Sequence, residues 1–305
     1  LSSSSAASDV YKRQDFNDPK LYAQLKSWTN DGYIILKKVI PDSAIDSFLV
    51  QLQYFIEHNQ LYSTMITHGK FGNIEAKKIN NLSNNLFSCR ICDFHDLSHV
   101  AKTIMLHPEI VQFLECIFRD TVVTMQSLTF IKGSEQEYHQ DFPYVVANEP
   151  LFLAASWVAL EDVHKDAGPL EVIPGSHRIK EFDFGNGPFL TPQSPLRELD
   201  FEQYLKRESQ KLGLHPHLIL LEKGDVLIWH SKLVHRGSKI NNPTLTRKSF
   251  VSHYSCKKFY PVDRRFPNLT PTEFNFNNGV VYENPSLQNE VSLDKLAYNP
   301  ADKLQ

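Results

Sequence analysis

From Thr121 onward the chain is a series of short β-branched and aromatic runs broken by Gly, Pro and Asp: "TVVTMQSLTFIKG", "LFLAASWVALEDV", "PLEVIPGSH", "DVLIWHSKLVHRGS" and "RKSFVSHYSCKKF". Runs of this composition read as strands. One of them, "LFLAASWVAL", is apolar at odd and even positions alike, so neither of its faces can meet water. Such a strand has to lie between a core and a covering layer. Helices upstream can supply that layer. "DPKLYAQLKSWTND" and "PDSAIDSFLVQLQYFIEHN" read as two helices separated by Gly32 and a short strand over Tyr33 to Leu36. In the second helix Asp42 or Ser43 is the expected cap, and Ile45, Phe48, Leu49, Leu52, Phe55 and Ile56 form its apolar stripe. A further helical stretch from Leu97 to Phe118 is expected to divide at Pro108. The expected fold is mainly β with flanking α-helices, a sandwich or barrel.

With 305 residues the chain is long enough for one large β-rich domain. We expect a single domain over 15–305, with a helical part to 120, a β core over about 121–260 and a C-terminal extension over 261–305. The opening "LSSSSAASDVYKRQ" resembles a translated sequencing adaptor, so residues 1–14 are read as a non-native leader and left out of the fold. Residues 58–87 and 178–223 read as long irregular excursions, the second carrying a helix "FEQYLKRESQKLG" closed by Gly213.

A formal charge of -3 spread along the sequence offers no basic face for nucleic acid. No apolar run approaches the roughly eighteen residues of a membrane span. Four cysteines, unevenly spaced, make no disulfide framework, which points to a reducing, cytoplasmic setting. Cys89 and Cys92 of "CRIC" lack a second pair of soft ligands and read as plain reduced thiols. The expected partner is a small-molecule substrate.

The chemistry concentrates in "EYHQDFPY", where His139 and Asp141 stand two residues apart. On extended backbone these side chains share a face and can offer a nitrogen and an oxygen to one point. "LIWHSKLVHRGS" supplies His230 and His235 as candidates for a third ligand. Two histidines and one carboxylate on one side of a metal leave positions open for a co-substrate and O2. Arg247, twelve residues after His235, can pair in bidentate fashion with a carboxylate.

With "HQD", "SWVALEDVHKDAGPLEVIPGSH" and "GDVLIWHSKLVHRGSKINNPTLTR" the chain resembles the phytanoyl-CoA dioxygenase family from about Phe16 to Tyr260. That resemblance implies a double-stranded β-helix of the jelly-roll, cupin-like kind and a dioxygenase using Fe(II), 2-oxoglutarate and O2. It implies His139, Asp141 and His235 as the metal-binding and catalytic residues. Arg247 would hold the distal carboxylate of 2-oxoglutarate, with Trp157 and Ser238 lining its pocket. "HRGS" places the serine one residue further from the histidine than many relatives do. His230, seventeen residues from Arg247, matches the family less well and reads as a packing residue or a neighbour of the site. His177 reads as a capping or turn histidine, and Tyr138, Phe142 and Tyr144 as pocket wall or core. Related halogenases have a small residue in place of the carboxylate, so Asp141 favours hydroxylation. Two other readings remain: a cupin-like protein that binds metal without catalysis, and a zinc enzyme on the same fold.

Overall fold

The computed structural model describes residues 18–295 apart from 69–71, 87–88, 146, 263–267, 269, 278 and 284–292. The leader over residues 1–14 lies outside the described residues. Five α-helices are described: α1 (Pro19–Asp31), α2 (Asp42–Glu57), α3 (His99–Met105), α4 (Pro108–Phe118) and α5 (Glu198–Lys211). The larger sheet contains β1 (Tyr33–Leu36), β2 (Met65–His68), β3 (Gly72–Glu75), β4 (Cys89–Cys92), β5 (Val122–Phe130) and β6 (Ala154–Ala159). It also contains β9 (Val226–His230), β11 (Ser249–Cys256), β12 (Thr272–Phe276) and β13 (Gly279–Glu283). The smaller sheet is β7 (Leu170–Val172), β8 (His217–Ile219) and β10 (His235–Gly237). Strand order is β1-β9-β6-β11-β5-β4-β2-β3 in the first, with β13 beside β5, and β10-β7-β8 in the second.

The larger sheet is sorted by parity. On one face Ala154, Val158, Ile228, Phe250 and Tyr254 pack with Phe48, Phe55, Phe113 and Leu114 of the helices. On the other face Ala155, Trp157, Leu227, Trp229 and Val251 join Val172 and Leu170 of the smaller sheet. The all-apolar run around Trp157 is therefore covered on both sides, as its sequence requires. The Tyr254 hydroxyl, on the helix face, donates to the Met105 carbonyl at 2.7 Å and so satisfies its polar end.

α1 begins at Asp18, whose side chain accepts from the Lys20 and Leu21 amides, and ends at Gly32 with φ +83°. A Cβ at Gly32 would lie 2.5 Å from His177 Nδ1, so the close docking of these segments needs glycine. His177 Nε2 stands 3.1 Å from the Thr29 carbonyl in the last turn of α1, the expected capping role. α3 and α4 separate at Pro108, as expected. The chain leaves α5 through Gly213 at φ +63°.

Two expectations need correction. α2 starts at Asp42 behind Pro41, with no side-chain cap, so neither Asp42 nor Ser43 is the cap. Residues 58–87 are not an irregular excursion throughout: β2 and β3 form a hairpin that extends the larger sheet. Tyr62, Ile66, Ala76 and Leu82 in this stretch are fully buried. Apolar residues placed singly between polar ones gave no sustained period there. The segment after residue 260 also contributes structure, since β12 and β13 pair and Val280 bridges to Val123.

His177 and His230 stand side by side beneath α1, ring centres 5.5 Å apart, with Trp28 at 5.5 Å from His230. Burial pushes the His177 imidazole down to about 4 and that of His230 well below the ordinary range. The unfolded chain takes up protons near pH 6.5 while the folded one keeps these rings neutral, so stability is present above that pH and lost as pH falls. Urea unfolding followed by tryptophan fluorescence should show the midpoint falling between about pH 6.5 and 4. His230→Phe should flatten part of that slope.

Candidate metal and co-substrate site

Two ligand candidates are fixed by backbone. His139 and His235 face each other in an antiparallel bridge, each amide donating to the other's carbonyl at 3.0 Å. β10 thus pairs with β7 on one edge and with residue 139 on the other. Directly opposed residues project to the same face, so the two imidazoles are brought together, their ring centres 4.3 Å apart. Asp141 follows His139 by two residues, and its amide donates to the Ser231 carbonyl at 2.9 Å.

Tautomers follow from the carbonyls. His139 Nδ1 is 2.7 Å from the Glu137 carbonyl and His235 Nδ1 is 2.9 Å from that of Leu233. A carbonyl only accepts, so each Nδ1 carries the proton and each Nε2 presents a lone pair. Asp141 Oδ1 lies 3.7 Å from His139 Nε2 and 3.5 Å from His235 Nε2. The ligand atoms of the three residues all lie within 4.8 Å of one another. With metal bonds of roughly 2.0–2.2 Å, one ion can reach all three. Burial and the neighbouring His235 ring push the His139 imidazole down to about 3, which keeps its Nε2 free of protons. Burial alone would raise the Asp141 carboxyl, but the rings of His235, His253 and His139 more than offset it and hold the carboxylate ionised.

Asp141 Oδ2 is occupied from behind. The indole N–H of Trp229 donates to it at 2.9 Å. His253 Nε2 stands 3.4 Å away, short of a full hydrogen bond, with Gln126 3.4 Å from its other nitrogen. These two side chains turn Oδ1 toward the histidines. Neither was singled out from sequence. His253 follows Arg247 by an even six residues along the β-like run "RKSFVSHY", and that shared parity was the available signal.

The adjoining cavity, about 340 Å³, is lined by His139, Asp141, His235, Trp157 and Arg247 together. Arg247 is 2% exposed, donates from Nη1 to the Gly168 carbonyl at 3.1 Å and stands 5.4 Å from the Trp157 ring. Gly168, at φ +72°, would place a Cβ 2.8 Å from Ile240, so glycine lets this carbonyl approach the guanidinium. Burial pushes Arg247 down to about 10, and among the described residues no carboxylate pairs with it. Arg247 Nε, Trp157 Nε1 and Ser249 Oγ are buried polar atoms without a hydrogen-bond partner among the described residues. Such atoms are costly unless a ligand satisfies them, and an anion with several acceptor oxygens suits Arg247 Nε and Trp157 Nε1, whose residues line the cavity.

Other candidates are placed elsewhere. The Ser238 hydroxyl donates to the Pro169 carbonyl at 2.8 Å, and Gly237 rather than Ser238 lines the cavity. His230 points to the helix face of the larger sheet, against Trp28 and His177, one parity step from Trp229. Of the three aromatic residues around "HQD", Tyr144 lines the cavity. Phe142 packs with Val123 and Met125, and Tyr138 lies under Arg236 while its hydroxyl donates to Glu171. Cys92 lines the cavity whereas Cys89 packs among the helices, so the two thiols face opposite sides of β4. All four cysteines are free. Among the described residues no helix is long and apolar enough to cross a membrane.

The family profile of phytanoyl-CoA dioxygenase (PhyH) matches residues 28–249. The chain belongs to the phytanoyl-CoA dioxygenase family. It is 22% identical over 251 residues to the human peroxisomal phytanoyl-CoA dioxygenase, an alignment covering 79% of this chain and 70% of that protein. Its fold is similar to that of the epimerase SnoN in complex with Fe3+, α-ketoglutarate and nogalamycin RO (TM-score 0.61, 16% identity, 87% of this chain and 99% of that one). It is also similar to EctD from S. alaskensis with bound Fe (TM-score 0.59, 20% identity, 80% and 79% covered). The two-sheet architecture is the jelly roll of this class. This member of the phytanoyl-CoA dioxygenase family is an oxygenase dependent on iron(II) and 2-oxoglutarate that acts on a small molecule.

If Trp229 aims Asp141, Trp229→Phe should weaken iron(II) binding by about 10- to 100-fold, the usual cost of losing a partner behind a ligand. Anaerobic metal titration measures this, with circular dichroism checking that the fold is kept.

Proposed function

We propose that the chain hydroxylates an unactivated C–H of a small-molecule or acyl substrate, with His139, Asp141 and His235 holding the iron. Arg247 binds the distal carboxylate of 2-oxoglutarate. Iron(II), 2-oxoglutarate and O2 together supply an oxidant able to remove hydrogen from such a carbon, the co-substrate leaving as succinate and CO2. The single observation carrying this reading is Arg247: a buried guanidinium without an acid among the described residues, in the same cavity as the His-Asp-His cluster.

Each residue has a derived task. The two histidines keep Nδ1 protonated on backbone carbonyls, so that Nε2 is the metal-facing atom throughout. Asp141 supplies one negative charge and occupies the position that a halide would need, which favours hydroxylation over halogenation. Arg247 and Trp157 Nε1 offer donors in a buried site, where a pairing with a carboxylate is least screened by water. Trp157 and Phe130 flank the guanidinium, at 5.4 and 5.5 Å, and exclude solvent from it. The presence of all four residues argues against a metal-binding protein without catalysis, and a zinc enzyme on the same fold would give Arg247 no evident purpose. The four free thiols support a reducing compartment, and we assign the cytoplasm.

Arg247→Ala should weaken 2-oxoglutarate binding by two to three decades, about 3–5 kcal/mol, because it leaves a buried carboxylate unpaired. Isothermal titration of the anaerobic iron(II) protein reads this directly, and an unchanged dissociation constant removes Arg247 from the role. Asp141→Ala should abolish succinate formation from 2-oxoglutarate while circular dichroism stays unchanged. Turnover that persists with iron bound would contradict the assignment of the three ligands.

A further inference from the structure

The cavity has a second arginine that the proposed function does not use. Arg90 lies on β4 between Cys89, which packs among the helices, and Ile91, which packs there too. By parity Arg90 and Cys92 face the other way, into the cavity, beside Thr67 of β2. The Arg90 side chain is half-buried. It lines the same cavity as His139, Asp141 and His235. Among the described residues the Arg90 guanidinium has no ion pair and no hydrogen bond, and burial lowers its proton affinity.

Charge balance shows what is missing. The two positive charges of iron(II) and the one on Arg247 are cancelled by Asp141 and the two carboxylates of 2-oxoglutarate, both histidines being neutral. Asp141 is the one acidic side chain among the described residues of the cavity wall. Arg90 is then a positive charge left over, with no further acidic side chain on the described cavity wall to meet it. A guanidinium in this position matches a planar carboxylate, which it can bind through two parallel N–H donors. The cavity of about 340 Å³ also has to hold 2-oxoglutarate, so the reacting part of the substrate is compact. Gln126 and Gln136 offer polar contacts beside the apolar Leu128 and Val145.

We propose that Arg90 is the substrate-recognition residue of this site and that the substrate is a compact carboxylate, bound through its anionic group to Arg90 while 2-oxoglutarate occupies Arg247. This rests on the reading of the site given above. The carboxylate end, held at β4, fixes which carbon of the substrate faces the His-Asp-His cluster. Neutral analogues of the same shape lose this anchor.

The test uses the anaerobic iron(II) protein saturated with 2-oxoglutarate, with acetate as the charged probe and acetamide as its neutral counterpart. Paramagnetic relaxation of the probe methyl protons is measured for the native chain, Arg90→Gln and Arg90→Lys. Acetate should show saturable relaxation, weakened about tenfold or more in Arg90→Gln and partly kept in Arg90→Lys, and acetamide none. The 2-oxoglutarate dissociation constant, titrated on the same samples, should stay within about twofold in Arg90→Gln, which also shows that the variant is folded. Acetate relaxation that is absent from the native chain, or equal in Arg90→Gln, overturns the proposal. So does a large loss of 2-oxoglutarate affinity in Arg90→Gln, since Arg90 would then serve the co-substrate. Failure of 2-oxoglutarate to bind the native iron(II) protein is a separate result that removes the underlying reading and this inference with it.

Discussion

A sheet buried on both faces has to sort its side chains strictly by alternation, and everything at the centre of this molecule follows from that constraint. β6, β9 and β11 send even-numbered residues such as Val158, Ile228 and Tyr254 to the helices and odd-numbered ones such as Trp157, Trp229 and Val251 to the smaller sheet. A slip of one residue would exchange the two sets, moving Trp229 and His253 away from Asp141. The helices that pack on the even face therefore guard the register of the odd face, although none of them contributes to the cavity wall.

The polar groups of the cavity obey a second rule, that each buried charge needs a partner. Asp141 has a donor within the protein, the Trp229 indole on one oxygen, while its other oxygen faces the two histidine Nε2 atoms. Arg247 and Arg90 lack acidic ones among the described residues, and in the proposed reading their partners come with ligands. The division between satisfied and unsatisfied groups thus separates what the fold holds permanently from what it is built to receive.

Much of this was legible in the sequence because parity and short spacings are local. His139 and Asp141 at i and i+2, the division at Pro108 and the doubly apolar run around Trp157 could all be read directly. The pairing of His139 with His235 could not, since it depends on a contact between segments almost a hundred residues apart. Family resemblance supplied that pairing. Trp229 and His253 were missed because their meaning lies in what stands opposite them, and a tryptophan in an apolar strand looks like core. The hairpin of β2 and β3 was missed for a related reason: strands of four residues with Thr, Asn and Gly carry little intrinsic signal, and pairing to β4 gives them their structure. Arg90 sits in a run whose cysteines drew notice first, and only the wall of the cavity shows which way it faces.

The reciprocal amide bonds between His139 and His235 have a consequence for how the protein is loaded in a cell. Because two of the three proposed donors are tied to each other by main chain, their spacing does not wait for an ion to set it. A rigid cradle of nitrogen and oxygen donors discriminates poorly among divalent first-row ions, and copper, nickel or zinc would be held more tightly than ferrous iron. Occupancy by the working ion is then governed by which metals the surrounding compartment makes available, more than by any preference built into the polypeptide.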